Sequence, residues 1–230
     1  GSSTSVTATQ AAGQTITSAA GSLTLANGAF PAARFVSGGS LVTGYQFTLT
    51  PAYDDFTVEE VYVDLSSTTA SSTGAVASLM LKDGTTTLSS ATVNSSTSSA
   101  SFTGVNLPLP ASGGTKTLTV EVQLANVGVG SNDTAGVVTV RLDGVKYRNS
   151  AGTYNTVAST LPISGLATTN GGNSNNVVKG YPTFTNAALP TTVLSAGTMT
   201  LFKTVVTATG GQVAWNDIKF TVASGSGLIT

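Results

Sequence analysis

Every second residue of Thr117-Leu118-Thr119-Val120-Glu121-Val122-Gln123-Leu124 is apolar, and the residues between are hydroxylated, charged or amide-bearing. That period of two puts Leu118, Val120, Val122 and Leu124 on one face of an extended strand and leaves the other face polar. Comparable short runs follow one another at Ser22–Leu25, Ala33–Val36, Leu41–Thr50, Asp55–Leu65, Val76–Lys82, Thr85–Val93, Ser99–Asn106, Lys116–Leu124 and Gly136–Asn149. Turn formers punctuate them: Lys82-Asp83-Gly84, Ser112-Gly113-Gly114 and Asp143-Gly144. No segment has a helical period. Short strands at spacings of about 8–12 residues without helices predict an all-β sandwich or barrel.

One run changes its buried parity. Val61, Val63 and Leu65 are odd-numbered, whereas Phe56 and Val58 are even. A regular strand cannot turn its apolar side chains from one face to the other, so a β-bulge or a bend is expected at Glu59-Glu60.

The same passage occurs twice. FTLTPAYDDFTVEEVYVDL (47–65) aligns without a gap onto TVVTATGGQVAWNDIKFTV (204–222). Leu49 matches Val206, Phe56 Val213, Val58 Trp215, Val61 Ile218, Val63 Phe220 and Leu65 Val222. Upstream, Phe30-Pro31 matches Leu189-Pro190 and Gly38 matches Gly197 once two residues are absorbed. The parity change recurs at Asn216-Asp217. A period this long denotes tandem domains, because solenoids repeat every 20–50 residues or so.

The expected organisation is therefore a linker or donor strand over 1–21, a sandwich over 22–150, a linker over 151–180 where alternation is lost, and a partial second repeat over 181–230. With so few strands, the second repeat is expected to present Val205, Val206, Trp215, Ile218, Phe220 and Val222 as a bare apolar surface, an assembly interface. Leaving six such side chains in water forgoes on the order of 10 kcal/mol. Either a longer chain or another chain is expected to supply the missing strands.

Composition excludes much chemistry. The 230 residues contain no cysteine and no histidine, so thiolate nucleophiles, disulfides, imidazole ligands and His-dependent triads are out of reach. Charged residues make up 8% against a norm of about 25%. The net charge of −1 and the lack of a basic cluster argue against nucleic acid. No apolar run reaches the roughly 18 residues of a membrane-spanning helix. A hydroxyl-rich, charge-poor, cysteine-free chain suggests a secreted or cell-surface location.

Leu23-Thr24-Leu25, Phe30-Pro31-Ala32-Ala33, the Gly38-Gly39 turn, Phe47-Thr48-Leu49-Thr50 and the Val61, Val63, Leu65 strand together resemble the Ser/Thr-rich Ig-like repeats of large surface proteins from uncultured bacteria. Leu79-Met80-Leu81-Lys82-Asp83-Gly84 and Lys116-Thr117-Leu118-Thr119-Val120 resemble their middle hairpin and a later core strand. The resemblance covers roughly residues 22–150 and 184–222. It implies an Ig-like antiparallel β-sandwich and a role in surface display, adhesion or assembly, and it carries no catalytic residues to transfer.

Candidate sites are sparse. Asp54, Asp55, Glu59 and Glu60 lie within seven residues, a density that a two-carboxylate hydrolase would need. No aromatic platform accompanies them, and the second copy has Gly211, Gln212, Asn216 and Asp217 instead, so catalysis is not expected. Hard oxygen ligands suit Ca²⁺, for which Asp54, Asp55, Asn132 and Asp133 are the candidates, without EF-hand spacing. No other cofactor is expected. Lys116, Lys203 and Lys219 lie within strand runs, where an isopeptide link would need a buried Lys facing an Asn or Asp; outer-face positions are the expected reading. Asn94 and Asn132 head N-x-S/T sequons and are candidate glycosylation positions. Trp215 aligns with Val58 and is expected in a core, and the tyrosines form no spaced ladder for sugar stacking.

The expected function is that of an extracellular, non-enzymatic subunit of a filament, stalk or surface layer. Its partners would be other copies of itself, joined by strand complementation in which a segment within 1–25 is one candidate donor. The alternatives are a fragment of a long surface adhesin and a glycan- or receptor-binding module.

Overall fold

The structure is a computed structural model and describes residues 20–29, 31–65, 73–128, 136–157, 174–193 and 196–221. Its strands are β1 (Ser22–Asn27), β2 (Arg34–Ser37), β3 (Leu41–Ala52), β4 (Phe56–Asp64), β5 (Val76–Asp83), β6 (Thr86–Ala91), β7 (Ser99–Phe102) and β8 (Leu107–Leu109). Then come β9 (Lys116–Leu124), β10 (Gly136–Val138), β11 (Arg141–Asn149), β12 (Tyr154–Val157), β13 (Asn175–Val178), β14 (Tyr181–Asn186) and β15 (Thr204–Thr209). The helical content of the described residues is one 3-10 turn, Thr73–Ala75. No helix there is long and apolar enough to cross a membrane.

The alternation read from the sequence is the alternation of burial. In β9, Leu118, Val120, Val122 and Leu124 are buried and the residues between them are half-covered or exposed. β9 is the central strand of an antiparallel sheet ordered β1-β3-β9-β5-β6. A second antiparallel sheet runs β12-β11-β4-β7, and β8 pairs with β4 beyond β7. Between the sheets, Tyr45, Phe47, Leu49, Leu79, Leu81, Leu118 and Val120 meet Phe56, Val58, Val61, Val63, Phe102 and Leu142 in one hydrophobic cluster. A fully buried side chain of this size is worth about 1.5–3 kcal/mol, and burial on this scale holds the two sheets together. The chain is an all-β antiparallel sandwich.

β4 contains the expected bulge. Glu60 pairs with Lys146 and Val58 with Tyr147, so Glu59 is the extra residue. Buried positions pass from Phe56 and Val58 to Val61 and Val63 across Glu59 and Glu60, both half-exposed. The free edge of β4 changes partner at the same point. Val61–Asp64 pair with β7 and Phe56–Val58 with β8, while the amide of Val105 donates to the carbonyl of Glu59 at 3.1 Å. The bulge lets one strand serve two neighbours and keep both halves facing the core.

Three expectations need correction. Asp143-Gly144 is no turn: it lies inside β11, where Leu142 pairs with Val63 and Gly144 with Tyr62, so Asp143 is a second bulge on the same ladder. Segment 151–180 is not purely a linker. β12 pairs with β11, and β13 lies between β10 and β2, parallel to β2, with Val177 fully buried beside Val36 and Val138 in the core cluster. A strand of four residues with a single apolar side chain inside carries too little periodicity to be seen in sequence. The third concerns the proposed 1–25 donor: Ser22–Leu25 already belong to β1, paired with Leu49–Ala52. Residues 1–19 lie outside the described residues.

Candidate functional site

Only Lys179 and Gly180 separate β13 from β14, so the second unit begins directly on the end of the first. β14 and β15 reproduce β1 and β3. Ser22 pairs with Ala52 and Asn27 with Phe47; Tyr181 pairs with Thr209 and Asn186 with Thr204, with six antiparallel pairs in each case. These are the positions equated by the sequence alignment, with the same two-residue offset. The junction repeats too. Tyr53 has φ 65° and its counterpart Gly210 has φ 80°. A Cβ on Gly21 would collide with Asp54, and one on Gly180 would lie 2.9 Å from the amide nitrogen of Gly211, the counterpart of Asp54.

What differs is cover. Leu25, Val58 and Val63 are 2%, 0% and 0% exposed, whereas Phe184, Trp215 and Phe220 in the matching places are 57%, 52% and 65% exposed. The expected strand across Asn216-Asp217 does not form: residues 212–221 have no ladder partner among the described residues. In the first unit β4 is held by β11, β7 and β8, and a lone extended segment has nowhere to place its backbone hydrogen bonds.

The assembly residues named from sequence are only partly brought together. Val206 and Trp215 line an open depression of about 470 Å³ with Pro182, Thr204, Ala208 and Val213. Trp215 stacks on Phe184 with ring centroids 6.0 Å apart, and Phe220 meets Phe202 edge-on at 5.8 Å. Ile218 is exposed. Val205 is a correction. It alternates with Thr204 and Val206, so it belongs to the opposite face of the ribbon, away from the depression. Val222 lies outside the described residues. Phe184 and Phe202 were missed, although the two-residue offset equates Phe184 with Leu25, and the ungapped alignment extended upstream equates Phe202 with Tyr45.

The other candidate residues have structural tasks. Asp54 accepts from the amide of Asp55 at 2.8 Å, and Asp55 accepts from the amide of Ala111 at 2.7 Å, tying the β3–β4 turn to the turn after β8. Among the described residues no group of three or more acidic side chains is placed to hold a metal ion. Asn132 and Asp133 lie outside the described residues. Asn94 is exposed, forms an isolated antiparallel bridge with Ser99 that closes the turn 95–98, and accepts from the amide of Ser96 at 2.9 Å.

Glu59 and Glu60 point to the outer face at the bulge, where an open hollow of about 280 Å³ is lined by both, Gly104, Lys146 and Tyr154. Lys146 Nζ lies 2.7 Å from Glu60 Oε1, the Tyr62 hydroxyl donates to Glu60 Oε2 at 2.8 Å, and Arg148 donates to Glu59 at 2.5 Å. Lys146, then Tyr62, hold the Glu60 carboxyl below its ordinary range. Glycoside hydrolysis needs one carboxyl kept protonated, whereas Lys146 and Tyr62 favour the ionised form of Glu60.

No protein family model matches the sequence, and no curated protein matches it. Among solved structures, the chain is similar to BcpA, the major pilin subunit of Bacillus cereus, at 11% identity and a TM-score of 0.31, covering 71% of this chain and 42% of that one. It is also similar to the cohesin–dockerin complex of OlpC from Clostridium thermocellum, at 9% identity and a TM-score of 0.29, covering 68% of this chain and 93% of that one. A third likeness is to AvmM, which catalyses macrocyclization in alchivemycin A biosynthesis, at 9% identity and a TM-score of 0.27, with coverage of 69% and 88%. The chain thus spans under half the length of the pilin. Overlaps of this quality say nothing about activity.

Proposed function

We propose that this chain is a non-catalytic structural module of the extracellular surface, a subunit of a filament, stalk or layer whose second unit is completed by strands of a neighbouring copy. The carrying observation is the unequal cover of two matching hairpins: positions buried in the first unit present Phe184, Trp215 and Phe220 to water in the second. Exposed aromatic pairs beside an open depression, Phe184 with Trp215 and Phe202 with Phe220, are the kind of apolar surface that marks an interaction site, and the free backbone of a strand edge is satisfied by β-augmentation. A contact between unlike surfaces of successive copies propagates into an open polymer. The absence of His and Cys, the ion-paired carboxylates and the hydroxyl-rich composition support a structural, external role. Electron microscopy and size-exclusion of the purified chain test the reading. Polymers are expected, and Trp215→Asp should return them to monomers with an intact sandwich. Compact monomers in which 181–221 resist protease would overturn it.

The repeated junction favours a second reading. Gly21 against Asp54 and Gly180 against Gly211 are successive joints of the same design, as in a tandem array of a long adhesin. In that case the purified chain stays monomeric and 181–221 is cleaved first.

A further inference from the structure

We propose that the first unit carries tension between its two ends, with β13 as the strand that resists it. The inference rests on the filament or array reading above, in which load passes from unit to unit, and adds how one unit bears that load. The chain enters and leaves the unit at opposite ends of β3. β1 begins beside the end of β3, where Ser22 pairs with Ala52, and β2 stops at Ser37, at the turn that opens β3 at Leu41. β13 runs parallel to β2 and stops level with it, Val178 opposite Ser37, and the chain departs at once through Lys179 and Gly180.

Pulling on those two exits draws β1 and β2 back toward their starts and β13 onward past its end. Ladder hydrogen bonds lie across the strands, so a lengthwise load reaches all pairs of a strand together. β1 has six pairs with β3. β13 is held on both sides, by four pairs with β2 and three with β10. Backbone bonds extend the β2 ladder at each end: the Arg34 amide donates to the Ser174 carbonyl at 3.2 Å, and the Gly38 amide to the Val178 carbonyl at 3.0 Å. β13 has no second register to slip into. A shift of one residue turns Val177 out of the core, and a shift of two puts Asn175 in its place. A load across one end meets no such resistance. Asn149 pairs with Phe56, close to the Asp54 that faces Gly21, so Ser150 and Gly21 lie at the same end of the unit. Force between them opens the ladders one pair at a time.

Because the chain has no cysteine, two introduced thiols fix where the full chain is pulled. Ala20→Cys with Lys179→Cys loads the first unit end to end, and Ala20→Cys with Ser150→Cys loads it across one end; all of these positions are exposed. In single-molecule stretching at one speed, the end-to-end attachment is expected to need a severalfold higher unfolding force, because forced unfolding is set by the barrier to leaving the native state. Val177→Ala should lower the end-to-end force and leave the crosswise force unchanged. Only molecules that release the full folded length are scored, so a loss of folded protein is not mistaken for a loss of resistance. Equal forces in the two directions overturn the proposal, and an end-to-end force that Val177→Ala leaves unchanged overturns the part given to β13. Both results concern the first unit alone and leave the filament reading standing. Compact monomers with a protease-resistant 181–221 overturn that reading, and with it the source of the load, whatever the forces.

Discussion

Tyr45 condenses the difference between the two units into one side chain. It is fully buried, lies against Phe47 with centroids 6.1 Å apart, and donates its hydroxyl to Asn27 across the β1–β3 pair. Phe202, its counterpart, has no hydroxyl to donate and is exposed. Tyr45→Phe removes one buried hydrogen bond and should cost about 1 kcal/mol, read as a lower urea midpoint with an unchanged m-value. Burial pushes the Tyr45 phenol well above its ordinary value. Once the unfolded phenol loses its proton near pH 10, the folded state binds more protons than the unfolded one, so stability falls as pH rises further. Burial also raises Tyr147, as it does Tyr62, where Glu60 adds to the shift. The alkaline loss should therefore be reduced, not abolished, in Tyr45→Phe; denaturation curves between pH 8 and 11.5 measure it.

At the scale of the element, Glu59 decides which way half a strand faces. Deleting it would make β4 regular and turn Phe56 and Val58 outward while Val61 and Val63 stay inside. Losing the burial of two such side chains costs about 3–6 kcal/mol. The deletion is expected to leave a largely unfolded chain by near-ultraviolet circular dichroism, whereas Glu59→Gln, which keeps the extra residue, should stay folded. The parity change in the sequence revealed this bulge because burial alternates strictly on both sides of it. Its companion at Asp143 is not legible in sequence because Asp-Gly is also a strong signature of a tight hairpin turn.

For the whole molecule, β13 sets the true end of the first unit. A chain cut after Lys179 keeps Val177 in the core and the parallel pairing of β13 with β2, and should be a cooperative monomer without the exposed aromatic face. Cutting after Ser150 removes β12 and β13, uncovers Val36 and Val138, and should lower the melting temperature by several degrees, since a buried Val is worth about 1.5–3 kcal/mol. Scanning calorimetry of the two truncations decides it. If both melt alike, β13 is no part of the sandwich.

Local chemistry determined the all-β class, most strand positions, the Glu59 bulge and the alignment of the two copies, since each is written in which neighbouring residues are apolar. Tertiary structure alone decided the rest: the return of β13 beside β2, the outer-face pairing of Glu59 and Glu60 with Arg148 and Lys146, and the failure of 212–221 to form a strand. A sheet is made of partners distant in the chain, and no local pattern of side chains says whether the partner is there.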